Sequence, residues 1–118
     1  MGELPPIDIR PDLWPIVRDI LTRHVAGYEV WAFGSRVRGN AKPYSDLDLA
    51  IISDAPLPLR VSARLADDFS ESDLPWRVDV VDWAATRPAF RSIIERDKVV
   101  LQRPGGGNPG DAADVPTP

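Results

Sequence analysis

Gly34-Ser35, ten further residues and then Asp46-Leu47-Asp48 bring a small-residue pair and two carboxylates into one short stretch of this chain. Side chains of a strand alternate between its two faces. Asp46 and Asp48, at the head of the apolar run Leu49-Ala50-Ile51-Ile52, therefore point to the same side and can hold the same metal ions. Upstream, Val30-Trp31-Ala32-Phe33 reads as a short buried strand entering Gly34-Ser35, and Arg36 to Gly39 reads as one tight helical turn. A glycine lets backbone come close to a phosphate, and the amides opening a helical turn, with the Ser35 hydroxyl, accept an anion. A phosphate cradle beside a paired metal site is the apparatus of phosphoryl or nucleotidyl transfer.

With the flanking apolar strands and the later Val78-Asp79-Val80, the pattern Gly34-Ser35-x10-Asp46-x-Asp48 resembles the signature of the nucleotidyltransferase superfamily related to DNA polymerase beta. The small size resembles its minimal branch, the MNT proteins, over roughly residues 12 to 101. The resemblance implies an α/β (α+β) fold, a small mixed sheet of about four strands flanked by helices. It implies Asp46, Asp48 and Asp79 as catalytic and metal-binding residues, Mg2+ as the metal (two ions) and ATP as the substrate. Gly34, Ser35, Arg36 and Ser45 match the nucleotide-binding part of the motif. Within it, Arg36 is expected to serve structure or triphosphate binding, and Ser45 to shape the turn. Finally, it implies an antitoxin that adenylylates a tyrosine of a helical HEPN-type toxin partner. Two other readings stay open: an antitoxin that works by binding alone, and a nucleotidyltransferase acting on a small molecule or an RNA end.

Each candidate has a plainer competitor. Asp46 reads equally as a turn aspartate and Asp48 as a surface residue when each is taken alone. Asp79, set between two valines, is expected to be costly to bury unless a cation compensates it, which favours a metal shared with Asp46 and Asp48. Asp82, three residues on, faces the other way and is expected to cap a turn. Arg38 is a weaker candidate than Arg36, and Lys42 and Tyr44 belong to the loop between cradle and carboxylates. His24, the single histidine, is expected to pack on the apolar face of the first helix.

The elements that must position these groups follow from pattern. Residues 1–11, with Pro5, Pro6 and Pro11, form an irregular lead-in, and the nucleotidyltransferase domain occupies 12–101. Asp12 is the expected N-cap of a helix carrying Leu13, Ile16, Val17, Ile20 and Leu21, with Gly27 ending it. Strands are expected near 29–33, 46–53, 76–81 and 99–101, and a second helix near 59–70 in which Arg64 and Asp68 pair. Thr86 is expected to cap a helix burying Phe90, Ile93 and Ile94. Residues 102–118, rich in glycine and proline, have the composition of a flexible tail.

Composition bounds the rest. A chain of 118 residues with 43% apolar content supports one core, and its net charge of −4 argues against direct nucleic-acid binding. The chain contains no cysteine, so disulfides and thiolate metal sites are excluded. No apolar run is long enough for a membrane span, and the reading is of a cytoplasmic protein without a membrane partner.

Overall fold

The computed structural model describes residues 4–105. Its elements run α1 (Trp14–Val25), β1 (Glu29–Phe33), α2 (Ser35–Arg38), β2 (Leu47–Ile52), α3 (Leu59–Ser70), β3 (Val78–Asp82), a 3-10 turn (Trp83–Ala85), α4 (Pro88–Asp97) and β4 (Val99–Gln102). The four strands form one mixed sheet in the order β3-β2-β1-β4, as expected of the fold class. β1 pairs antiparallel with both β2 and β4, whereas β2 and β3 are parallel. Parallel neighbours require a crossover, and α3 supplies it.

The sheet's two faces are unequal. Leu47, Leu49 and Ile51 of β2, with Val30 and Ala32 of β1 and Leu101 of β4, join the larger core beneath α1 and α3. Trp14, Val17, Ile20, Leu21 and Val25 close that core from α1, and Leu65 and Phe69 from α3. The opposite face carries a small cluster of Trp31, Phe33, Ala50 and Ile94. Strict alternation along β2 consigns Asp48 to this thin side, beside Ala50. Ile94 is fully buried and is the single buried residue of α4. Ile94→Ala is accordingly expected to cost about 2–5 kcal/mol, read as a fall in urea midpoint at unchanged slope.

Several local expectations are corrected. Asp12 does not cap α1: Leu13 is the N-cap, and Asp12 pairs with Arg10 instead. Asp68 pairs with Arg23 and with His24 (Nε2 to Oδ2, 2.8 Å) on α1, not with Arg64. A tertiary partner thus displaced a helical i, i+4 pair, and His24 ties α1 to α3 by a polar contact. The third strand begins at Val78 and includes Asp82. Thr86 ends the 3-10 turn while Arg87 precedes α4. On α4 only Ile94 of the three expected residues is buried, with Phe90 39% and Ile93 41% exposed. Phe90 still packs edge-on against Phe33, ring centroids 5.8 Å apart. Gln102 belongs to β4, where its amide donates to the Val25 and Tyr28 carbonyls at 2.8 and 2.9 Å. The flexible tail expected beyond it lies, from residue 106, outside the described residues. So do residues 1–3 of the lead-in; in its described part, Ile9 joins the larger core. Among the described residues no helix is long and apolar enough to cross a membrane.

Candidate active site

β1 delivers the chain to Gly34, which adopts φ +86° and starts the single turn α2. That conformation is strained for any residue with a Cβ. Gly39 ends the turn in the left-handed region, its N–H donating to the Ser35 carbonyl at 3.1 Å. A Cβ built on Gly34 would overlap the Asp48 carboxylate. The group that needs the glycine's open side in this structure is therefore a carboxylate, in addition to the phosphate inferred from sequence. Gly34→Ala is expected to cost about 1–2 kcal/mol through its positive φ and to turn the Asp48 side chain aside. Its loss in transfer activity should exceed what the lowered melting temperature explains.

Asp48 sits in the middle of this arrangement. Its Cα is in register with Phe33 on one side and Asp79 on the other, so the two aspartates occupy adjacent strands on one face. Asp46 immediately precedes β2. Burial, followed by repulsion from Asp79 and Asp46, pushes the Asp48 carboxyl up to about 6, while Arg38 opposes the shift. Arg38 is itself held by Asp97 at 2.9 Å. The expectation of a buried Asp79 is corrected, because β3 is an edge strand and Asp79 is exposed. The desolvated carboxylate is Asp48, whose strand has neighbours on both sides.

Among the described residues, no group of three acidic, histidine or cysteine side chains stands ready to hold a metal ion. The chemistry of the donors is nevertheless that which suits a hard cation: Asp79 and Asp46 both repel the Asp48 carboxylate, and carboxylate oxygens are the ligands that Mg2+ prefers. A cation between them would reverse the repulsion that now raises Asp48.

Arg36, expected to serve structure or triphosphate binding, and Ser45, expected to shape the turn, both hold the loop ahead of β2. Arg36 is only 5% exposed. Its guanidinium donates to the carbonyls of Asp8 (2.8 Å), Ser45 (3.0 Å) and Pro43 (3.1 Å) and lies 4.5 Å from the Trp76 ring centroid. The Ser45 hydroxyl accepts from the Lys42 N–H at 2.8 Å, the turn-shaping role anticipated for it. Asp82 caps as expected, accepting from Ala84 N (3.2 Å) and also from Leu57 N (2.9 Å). Gly34, Asp46, Asp48 and Asp79 are thus brought together with half-buried Ser35, while Arg36 and Ser45 brace the loop that leads into Asp46.

Sequence reasoning missed an open groove of about 830 Å3 that Asp46 and Asp79 help to line. Tyr44, 76% exposed, lines it too, together with Trp76, Phe69 and Leu57 and the β3 residues Val78, Val80 and Asp82. The available signal was the stripe Ser62, Ala66, Phe69 and Ser70, one face of α3 at helical spacing.

Comparison with known proteins shows the family and the fold. The family model described as Nucleotidyltransferase domain matches residues 14–103. A Haemophilus influenzae protein named Probable protein adenylyltransferase MntA is 57% identical over 96 residues, covering 81% of this chain and 84% of its own. A crystal structure described as a toxin-antitoxin with AMP-PNP superposes with TM-score 0.64 at 21% identity, covering 76% of this chain and 73% of that one. A mutant MntA-HpeT toxin-antitoxin structure gives 0.60 at 22%, covering 74% and 69%. At these identities the solved structures show a shared fold.

Proposed function

This chain belongs to the nucleotidyltransferase domain family, and we propose that it transfers AMP from ATP to a tyrosine hydroxyl of a HEPN-type toxin, acting in the cytoplasm as that toxin's antitoxin. The observation that carries the acceptor class is the 57% identity to a protein named as a protein adenylyltransferase, across most of both chains. The toxin-antitoxin descriptions of the solved relatives support the partner class. The geometry supports the chemistry through Asp48, held between the Gly34 backbone and Asp79.

Asp46, Asp48 and Asp79 would hold Mg2+, which when bound neutralises charge on the attacking and leaving oxygens of the displacement. Gly34 and Ser35 open α2 with backbone N–H groups and a hydroxyl, and they hold the β- and γ-phosphates of ATP. Asp79, exposed on the edge strand, receives the acceptor hydroxyl and takes its proton. The acceptor oxygen bonds to the α-phosphorus, the bond to the β-phosphate oxygen breaks, and pyrophosphate leaves. Arg36 and Ser45 act at one remove, by holding the 40–46 loop so that Asp46 enters β2 in place.

The test is incubation of the protein with ATP labelled on the α-phosphate, Mg2+ and a lysate of the source organism, beside the Asp46→Ala/Asp48→Ala double variant. Label on a discrete protein band in the wild-type lane alone supports the reading. If the partner is still captured by both proteins and neither labels it, the reading fails.

A further inference from the structure

We propose that the groove beside β3 binds the acceptor as an extended, hydroxyl-bearing peptide with basic flanking residues, added to the sheet as a strand along the open edge of β3. The proposal rests on the protein-adenylylation reading and names how that acceptor is held. Three observations meet here.

The first is the order of parts across the sheet. Gly34 and Ser35 follow β1, Asp48 lies on β2, and Asp79 lies on β3, the outermost strand. A triphosphate at the α2 end therefore leaves the far side of Asp79 as the approach for the attacking hydroxyl. The groove lies on that side, sharing Asp46 and Asp79 with the carboxylate cluster.

The second is the strand edge itself. Among the described residues β3 pairs with β2 alone. The Arg77 carbonyl accepts from Leu47 N at 2.9 Å, so Arg77 faces β2 with its backbone polar groups. Alternation then turns the N–H and C=O of Val78 and Val80 outward. The same alternation turns Asp82 outward, and its carbonyl does accept from the Thr86 hydroxyl at 2.8 Å rather than from β2. The outward N–H and C=O groups of Val78 and Val80 lie along about 10 Å of edge, enough for main-chain pairing with a short peptide. Unpaired edge groups of this kind are a template for a further strand.

The third is the lining. Opposite the edge, α3 presents Ser62, Ala66 and Phe69, and Leu57 and Leu74 add apolar surface for alternate side chains. The charges along the groove are Asp46, Asp79 and Asp82 against Arg77. An excess of carboxylates complements a basic peptide and repels an RNA backbone.

The test uses the full-length protein labelled with 15N and a synthetic peptide, Lys-Val-Tyr-Val-Lys with blocked ends, with amide exchange and transfer of α-labelled AMP both measured. Peptide binding is expected to slow exchange at Val78 and Val80 about tenfold or more. Ala66→Arg, at an exposed position on α3, should weaken peptide binding about tenfold and leave the affinity for ATP with Mg2+ unchanged. Val80→Pro removes an outward donor while keeping the β2 ladder, and should act in the same direction. AMP transfer to the peptide without protection at β3, and at an unchanged rate in Ala66→Arg, overturns the proposal. Protection caused by a short oligoribonucleotide and not by the peptide overturns it as well. Protection by the peptide with no transfer supports the groove and counts against protein adenylylation, so the two failures are separable.

Discussion

Asp48→Asn is expected to abolish nucleotidyl transfer while making the metal-free domain more stable. Removing the charge of the proposed Mg2+ ligand is expected to forfeit several kcal/mol of transition-state stabilisation, which corresponds to a fall of about 1000-fold or more in rate. The stability change has the opposite sign because of how Asp48 is placed. Burial, Asp79 and Asp46 raise its carboxyl from the ordinary 3.8 to about 6. A carboxyl raised on folding contributes stability that is fully present below about pH 4 and is lost as pH rises through about 6. At pH 7 the ionised group thus burdens the fold by about 3 kcal/mol from the shift alone, and partial exposure screens this to about 1–2 kcal/mol. Asn removes that burden. In EDTA the variant should show a higher urea midpoint than the wild type at pH 7, with the difference vanishing near pH 4. Added Mg2+ should narrow the gap by stabilising the wild type. A less stable variant at pH 7 in EDTA would mean that Asp48 is not held against like charge.

Arg36→Lys is expected to cost about 3–5 kcal/mol, although it preserves the charge. The guanidinium fork serves three carbonyls on two segments and stacks on Trp76, which a single ammonium cannot reproduce. The acceptors are only part-buried, so each lost hydrogen bond costs about 1 kcal/mol, and the lost ring contact adds to this. The 40–46 loop would loosen with it, so transfer should fall through misplacement of Asp46. Were Arg36 instead a triphosphate ligand, the variant would keep its melting temperature and lose only nucleotide affinity. The two measurements together decide between these roles.

The motif residues were legible because their chemistry is local. Gly34 and Ser35 stand at the end of an apolar strand whose bounds, Glu29–Phe33, pattern alone located. Asp48 takes its face from the alternation of β2. Three misreadings share a cause. Asp79 looked buried because its neighbours are valines, yet β3 lies at the sheet edge and its second face is open. Asp68 looked like the partner of Arg64 on its own helix, but α1 brings His24 and Arg23 closer. Phe90 and Ile93 looked like a buried stripe, whereas α4 meets the thin side of the sheet mainly through Ile94. In each case a sound local rule was overridden by which element happens to lie alongside.

By itself the sequence determined the family and put forward the candidate site residues. The residue types at 34, 35, 46, 48 and 79, with two apolar strands around them, are those that the proposed phosphate and cation chemistry uses, and their spacing along the chain is plain to read. Only the tertiary structure decided which carboxylate bears the burial, that Arg36 braces a loop, and that a groove follows the outer edge of β3. These depend on strand order and on contacts between distant segments. Alternation and helical period specify a face, but they carry no information on which neighbour, if any, covers it.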